Sequence, residues 1–331
     1  MLSGKHAFVL FSCICLLPLF ATAQTDSRGS FSDYVQQLKQ DALEQGVSQQ
    51  LVDNVFPKIK LFKKAQGLKP TASAVPVTLD TYLPQAVSPS RVEWTRALYR
   101  EYQLQLDAIA KRYDVQPRFI VALFAIDSNF GQLSSDYPAL SVTASLAYAG
   151  EKEDFYRQQF INALQIIERD KLNFAELKSN AKGQLGLSLL LPSRYAQYAK
   201  DGDDDGKSQP WSNPSDAFAT IAYYLQQKGW RSSQTWGRQV RVPNAFDLAL
   251  IGLETNKSFS DWQNIGVRRF NGKALPNRDD MQVSMVMPDG KDGRKYLVYD
   301  NYRYLTDWNN DNYFAISVAY LSEKVKQHKA I

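Results

Sequence analysis

Apolar side chains recur every three or four residues up to about residue 230, which predicts a series of amphipathic helices. The first stripe runs from residue 31 to residue 42, and Ser48 is placed to cap a second helix over 49–55. Further helices are predicted over 89–113, 141–149, 152–169, 189–199 and 214–228. Residues 68–90 contain four prolines without clear periodicity, so we expect a surface connection there.

Two of the predicted helices carry specific expectations. In the long helix over 89–113, the buried stripe is expected to be Trp94, Leu98, Tyr102, Leu106 and Ile109. A separate helix is expected to begin at Pro117 and is apolar on every side over 119–126, which is typical of a helix buried all round. That helix leads into Asp127, so a carboxyl group is predicted at the end of a buried apolar helix.

The pattern changes after residue 231. Strand-like runs at 238–242, 282–287 and 295–299 alternate with turns rich in Gly, Pro, Asn and Asp. A last helix is predicted over 311–327. The fold class expected is therefore mainly α (α+β), with a helical core and a small, partly β C-terminal subdomain over about 231–305.

The N-terminus has the features of a secretory signal peptide. Lys5 precedes an apolar run over 7–20, and Ala21-Thr22-Ala23 is a small-residue cleavage site. The run is shorter than the roughly 20 residues that span a bilayer, although a retained N-terminal anchor is the alternative. We expect residues 1–23 to be removed, 24–30 to be flexible, and the mature protein to be periplasmic, with no stable membrane span.

Removal of the signal changes the available chemistry. The mature chain has 38 basic and 34 acidic residues, no cysteine, and one histidine, His328, near its end. Ser-His-Asp, Cys-His and His-rich zinc sites are therefore nearly excluded, and catalysis must use carboxylates, amides, Tyr, Ser or Lys. The modest positive charge suits acidic polymers without identifying one. Nothing in the sequence indicates a nucleic-acid partner or an organic cofactor.

An acidic loop is the clearest local motif. In Asp201-Gly202-Asp203-Asp204-Asp205-Gly206-Lys207, oxygen ligands alternate and glycine stands sixth, as at the start of an EF-hand loop. Ser212 replaces the usual Glu at position 12, and Asp216 is the expected substitute. The ligands predicted for a structural Ca²⁺ are Asp201, Asp203, Asp205, Lys207 through its carbonyl, and Asp216. The alternative is a solvated acidic turn.

Asp127 is the second candidate. A carboxyl group at the end of a buried helix is desolvated, which raises its pKa and suits it to general acid catalysis. The alternative is a carboxylate that only forms hydrogen bonds at a helix end. The residues alone leave both possibilities open.

The segment Ala-Ile-Asp-Ser-Asn-Phe-Gly at 125–131 resembles the Glu-Ser/Thr-Asn-Phe/Tyr-Gly signature of soluble-lytic-type murein transglycosylases. Further segments, in the same order along the chain, resemble the lytic murein transglycosylase B family. They are 31–46, 144–148, Gly183 with Gly186, 192–193, the acidic loop with Trp211, 216–217, 229–230, Trp262, 266–268, 301–302 and 308–315. The similarity covers about 31–325 and implies one lysozyme-like domain over 31–327, with its catalytic-type core at about 115–230.

The resemblance also implies an activity. Members of this family cleave the β-1,4 bond between N-acetylmuramic acid and N-acetylglucosamine in peptidoglycan, using one carboxyl group as acid and then base to leave 1,6-anhydro ends. Asp127 stands where the family has its catalytic Glu. The substrate-binding positions expected are Ser128, Asn129, Gln184, Trp308, Asn309 and Tyr313.

Several site positions depart from the family pattern. Asp127 is one methylene shorter than Glu, Leu187 to Leu191 replace a Gln-Pro-Gln-Phe-Met stretch, and Trp308 replaces a common Tyr. Gln184 is expected to supply a replacement amide, against the alternative of a solvated side chain. Two hypotheses follow. The protein is either a lytic transglycosylase that acts on peptidoglycan strands, or a catalytically impaired homologue that binds them as a scaffold.

Overall fold

The structure is a computed structural model that describes residues 29–64, 77–133, 135–278 and 280–326. The predicted signal peptide and most of the predicted flexible N-terminus lie outside the described residues. The helices are α1 (Phe31–Glu44), α2 (Gln49–Val55), α3 (Leu79–Ala86), α4 (Pro89–Glu101), α5 (Gln103–Tyr113), α6 (Pro117–Ser128), α7 (Ala139–Ala149), α8 (Glu153–Arg169), α9 (Pro192–Tyr198), α10 (Pro214–Lys228), α11 (Phe259–Asn264), α12 (Asp300–Asn309) and α13 (Asn312–Lys326). The fold class predicted from the sequence, a helical core with a small β region, is confirmed.

The core of the helical part is α6. Its residues from Phe119 to Ala125 are all buried, as the apolar pattern predicts. Helix α13 packs along it, and α4, α5 and α10 contact its other sides. Because α6 is enclosed, its C-terminal end is held rigidly by the surrounding helices. That end carries Asp127.

The β region forms one antiparallel sheet beside the helices. Its strands are β3 (Gly237–Arg241), β4 (Lys257–Ser258), β5 (Arg268–Arg269), β6 (Gln282–Val286) and β7 (Lys295–Val298), in the order β4-β6-β7-β3-β5. Gly237 pairs with Val298, and Ser284 pairs with the same residue from the other side. The two-residue strands β1 (Tyr137–Pro138) and β2 (Lys178–Ser179) pair with each other elsewhere. The three strand-like runs predicted from the sequence are β3, β6 and β7.

Three expectations about the first half of the chain differ from the structure. The stretch 89–113 is two helices, because the backbone bends at Tyr102 (φ −106°, ψ 25°). Trp94 is not in the buried stripe: its side chain is 58% exposed, and α4 instead buries Val92 and Thr95. Part of the expected surface connection is the helix α3, which buries Leu79 and Leu83 against α13.

None of the helices in the described ranges combines the length and the apolar composition needed to span a bilayer.

Candidate functional site

The chain turns sharply after α6. Asn129, Phe130 and Gly131 all have left-handed backbone conformations, with φ of 48°, 61° and 74°. The hydroxyl of Ser128 is fully buried, donating to the Phe124 carbonyl (2.9 Å) and accepting from the Gly131 amide (2.9 Å). Ser128 therefore shapes the turn, and its burial keeps it from touching a bound sugar.

The Asp127 carboxyl group lies at this turn. The residue is partly exposed, yet its Oδ2 is buried and has no hydrogen-bond partner in the described part of the chain. Burial raises the pKa of Asp127 to about 7, while a hydrogen bond from the Trp308 side chain and the charge of Arg194 oppose the rise. A carboxyl group that titrates near neutral pH can both donate and accept a proton.

Trp308 is held beside Asp127 by its own packing. Its ring stands edge-on to Tyr224, with centroids 4.9 Å apart, and only 7% of it is exposed. Arg194 donates to the backbone carbonyl oxygens of Trp308 (2.8 Å) and Asp307 (3.0 Å), which lie in the last turn of α12. The sequence did not point to Arg194. Arg194 is far from Asp127 in sequence, and it comes near the carboxyl group only because α9 packs beside α12 in the folded protein.

The other predicted sugar-binding side chains are spread around this turn and α12. Asn129 accepts a hydrogen bond from Arg91 of α4 (3.1 Å), and Asn309 is exposed at the end of α12. The Gln184 side chain accepts from the Asn180 amide (2.9 Å), so part of its polar capacity is used within its own loop. Arg91, which anchors the turn after α6, was also missed from the sequence.

The Tyr313 hydroxyl is bonded to residues outside the turn after α6. It lies 3.0 Å from the Val77 carbonyl oxygen and bonds to the Asp289 carboxylate. Burial and Asp289 raise the pKa of Tyr313 to about 12, so the hydroxyl is protonated at neutral pH. The contacts of Tyr313 thus fasten α13 to the chain before α3.

Leu187, the first of the residues that replace the family's amide-rich stretch, lies against the turn after α6. A Cβ built on Gly131 would stand 2.7 Å from the Leu187 Cδ2 atom. Leu189 and Leu190 are buried. The side chain that meets the turn is therefore apolar, and glycine at 131 is required by both its φ and this close approach.

The acidic loop brings three of its predicted ligands together. Carboxylate oxygens of Asp201, Asp203 and Asp216 all lie within 4.8 Å of one another. Asp205 is not in this group, and its Oδ1 accepts from the Lys207 amide (2.8 Å). Oxygen donors at this spacing suit Ca²⁺, so the residues fit the predicted ion.

The loop is also fastened to the start of α10. Asp216 accepts from the Gly202 amide (2.7 Å) and the Gln209 amide (2.6 Å). A Cβ at Gly202 would stand 2.1 Å from the Ser215 carbonyl oxygen, so the loop backbone touches the helix directly. Burial and the charges of Asp203 and Asp201 raise the pKa of Asp216, whereas the two backbone hydrogen bonds lower it. A cation here would relieve the repulsion between these carboxylates.

Known proteins share this architecture. The chain is 24% identical over 251 residues to membrane-bound lytic murein transglycosylase B of Escherichia coli. The match covers 74% of this chain and 66% of that protein, so the chain spans just under two thirds of its length. SltB3 of Pseudomonas aeruginosa, solved in complex with NAG-anhNAM-pentapeptide, is 30% identical with a TM-score of 0.84, covering 90% of this chain and 80% of SltB3. The E. coli lytic transglycosylase SLT35, solved with calcium, shares the fold at 20% identity, with a TM-score of 0.75 and coverage of 89% and 93%.

The match to a protein family extends over nearly the whole described chain. The family described as transglycosylase SLT domain matches residues 30–323, which include α6, the acidic loop, the sheet and most of α13. The resemblance noted from the sequence motifs is confirmed. This chain belongs to the transglycosylase SLT domain family.

Proposed function

We propose that the protein is an exported, periplasmic lytic transglycosylase that cleaves the MurNAc-β-1,4-GlcNAc bonds of peptidoglycan and leaves 1,6-anhydroMurNAc ends. The observation that carries this proposal is the Asp127 carboxyl group, whose pKa is raised to about 7 and whose buried Oδ2 has no hydrogen-bond partner among the described residues. The SltB3 complex supports the substrate class, because its ligand contains the anhydro sugar that this reaction forms.

Asp127 performs both proton transfers in this proposal. Its protonated form donates to the glycosidic oxygen as the bond to C1 of MurNAc breaks. The resulting carboxylate accepts the proton of the C6 hydroxyl as that oxygen bonds to C1 and closes the anhydro ring. No water is consumed, and the carboxyl group ends in its starting state, so one acid with a pKa near the working pH suffices.

The neighbours of Asp127 set its position and acidity. Trp308 donates a hydrogen bond that stabilises the carboxylate, and Arg194 adds favourable charge. Asn129, Gln184, Asn309 and Tyr313 are proposed to contact the sugar strand. Asp127 is one methylene shorter than Glu, and a displacement of about 1 Å can cost on the order of 100-fold in rate. We therefore expect slow turnover.

Ca²⁺ has a structural role in this proposal. Asp201, Asp203 and Asp216 would hold it, and it would neutralise charge that the loop places close together. Because Asp216 also binds the loop amides, the ion would fasten the loop to α10. The mature chain has no cysteine, so this ion would cross-link and stabilise the fold, as disulfides do in other exported proteins.

The test is product analysis. Mature protein is incubated with peptidoglycan sacculi, and the released muropeptides are examined for 1,6-anhydro ends. We expect such ends from wild type and none from Asp127→Asn. The matched control is Asp154→Asn, which removes an exposed carboxyl group on α8 and leaves the yield unchanged.

The catalytically impaired alternative has a distinct signature. If wild type gives no anhydro ends but Asp127→Glu does, the fold has kept its glycan site and lost its chemistry. Such a protein would still sediment with sacculi. If neither form gives products and neither sediments with sacculi, peptidoglycan is not the substrate.

A further inference from the structure

An exposed indole stands on the outer face of α4. Because α4 buries Val92 and Thr95, Trp94 points away from the core and is 58% exposed. A single exposed apolar side chain is common on protein surfaces, so this indole becomes informative only together with the side chains around it. The Trp94 ring is therefore the first feature that the proposed reaction does not use.

A second aromatic ring packs against Trp94. The Phe130 ring lies 5.9 Å from the indole at an interplanar angle of 78°. Phe130 has a left-handed backbone conformation, so the sharp turn after α6 delivers this ring to α4. The hydrogen bond from Arg91 to Asn129 (3.1 Å) ties the same turn to α4. The two rings thus form a fixed pair.

The pair borders a small cleft. The cleft has a volume of about 300 Å³ and is lined by Trp94, Ala97, Leu98, Glu101, Phe130 and Gln132. Its floor is aromatic and aliphatic, and exposed Glu101 and Gln132 add a carboxylate and an amide. A pyranose ring matches this chemistry, because its C–H face packs on an aromatic ring while its hydroxyl and acetamido groups reach polar side chains at the edge.

The cleft shares the turn after α6 with the candidate site, because Phe130 and Gln132 line it. Phe130 and Gln132 follow Asp127 in the same turn, and the Cα of Phe130 lies within about 11 Å of the Asp127 Cα. A glycan strand that places a bond at Asp127 therefore has neighbouring sugars within reach of the cleft.

We propose that Trp94 and Phe130 form an accessory sugar-binding platform, which holds an amino-sugar unit of the glycan strand beside the turn that carries Asp127. This proposal rests on the proposed function for its ligand, and it adds a binding site on α4. A protein partner fits less well, because a stable protein interface uses about 20–30 residues on each side, whereas Trp94, Ala97, Leu98, Glu101, Phe130 and Gln132 are the residues that line this cleft.

The test measures affinity for a defined probe, N-acetylchitohexaose, by isothermal titration calorimetry. We expect Trp94→Ala to weaken binding about tenfold, the upper range for loss of one aromatic contact. Trp94→Tyr keeps an aromatic face and should stay within about threefold of wild type. Phe270→Ala is the matched control, since it removes another exposed aromatic ring (53% exposed) far from the turn in sequence, and its affinity should equal that of wild type.

The outcomes separate the platform from the reaction. Binding is measured in the Asp127→Asn background as well, where no product can form by the proposed route. If Trp94 governs affinity there while sacculi yield no anhydro ends from wild type, the platform stands and the proposed activity is wrong. If sacculi yield anhydro ends and Trp94→Ala binds like wild type, the platform is wrong. If Trp94→Ala leaves the affinity for N-acetylchitohexaose unchanged but alters the sedimentation coefficient of the protein alone, the surface mediates self-association and the proposal also fails.

Discussion

The buried carboxyl group of Asp127 has a consequence for stability that can be measured without a substrate. Its pKa is about 7 in the folded protein and close to 3.8 when the chain unfolds. The folded state therefore holds the Asp127 proton more tightly. Below about pH 4 both states are protonated and the group has no net effect, whereas stability is lost as pH rises toward 7.

The magnitude follows from the size of the shift. A difference of roughly 3 pKa units corresponds to about 4 kcal/mol of destabilisation at pH 8, and to about 1 kcal/mol at pH 4.5. Asp127→Asn has no charge to desolvate. It should therefore gain stability relative to wild type as pH rises. The difference in free energy of unfolding between Asp127→Asn and wild type should be about 3 kcal/mol larger, in favour of the variant, at pH 8 than at pH 4.5.

Urea denaturation of both proteins at the two pH values measures this gap. Asp154→Asn serves as the control, because its carboxyl group is exposed and its removal should not produce a gap that grows with pH. If Asp127→Asn differs from wild type by the same free energy at pH 4.5 and pH 8, the carboxyl group titrates normally. Asp127 would then be ionised at neutral pH and could not serve there as a general acid.

Three further predictions concern its neighbours and the acidic loop. Trp308→Phe removes the hydrogen bond that lowers the pKa of Asp127, so the alkaline limb of the pH–activity profile should move to higher pH; an unmoved limb would contradict this. Chelation should lower the melting temperature of wild type and Ca²⁺ should restore it, while Asp203→Ala should respond to neither; identical behaviour of the two proteins would mean that the loop is only a turn. Ser128→Ala removes the acceptor of the partly buried Gly131 amide and should lower the free energy of unfolding by about 1–3 kcal/mol in urea denaturation, and a neutral result would show that the turn does not need this hydroxyl.

Local patterns predicted the elements well because caps and periodicity act over a few residues. The helix over 214–228 begins at Pro214 after the capping residue Asn213 and ends before Gly229, as its sequence indicates. The all-round apolar run of α6 predicted its burial. The alternation of Asp and Gly predicted the acidic loop, and the structure brings three of its carboxylates together.

Expectations failed where a choice between two faces was needed. Trp94 and Val92 lie on different sides of α4, and both are apolar, so periodicity alone did not decide which side packs inward. The bend at Tyr102 has no proline or glycine to signal it. Helix α3 was missed because only Leu79 and Leu83 are buried in it and Pro84 lies inside it.

The chain's own order of residues determined that a carboxyl group follows a buried helix, that an acidic turn precedes α10, and which family the protein belongs to, since these are properties of neighbours along the backbone. Tertiary structure alone decided that Trp308 and Arg194 flank Asp127, that Ser128 is sealed inside the turn, and that Trp94 faces outward beside Phe130. Residues 127, 194 and 308 are far apart in sequence, and the field that sets the acidity of Asp127 exists only after α6, α9 and α12 have packed together.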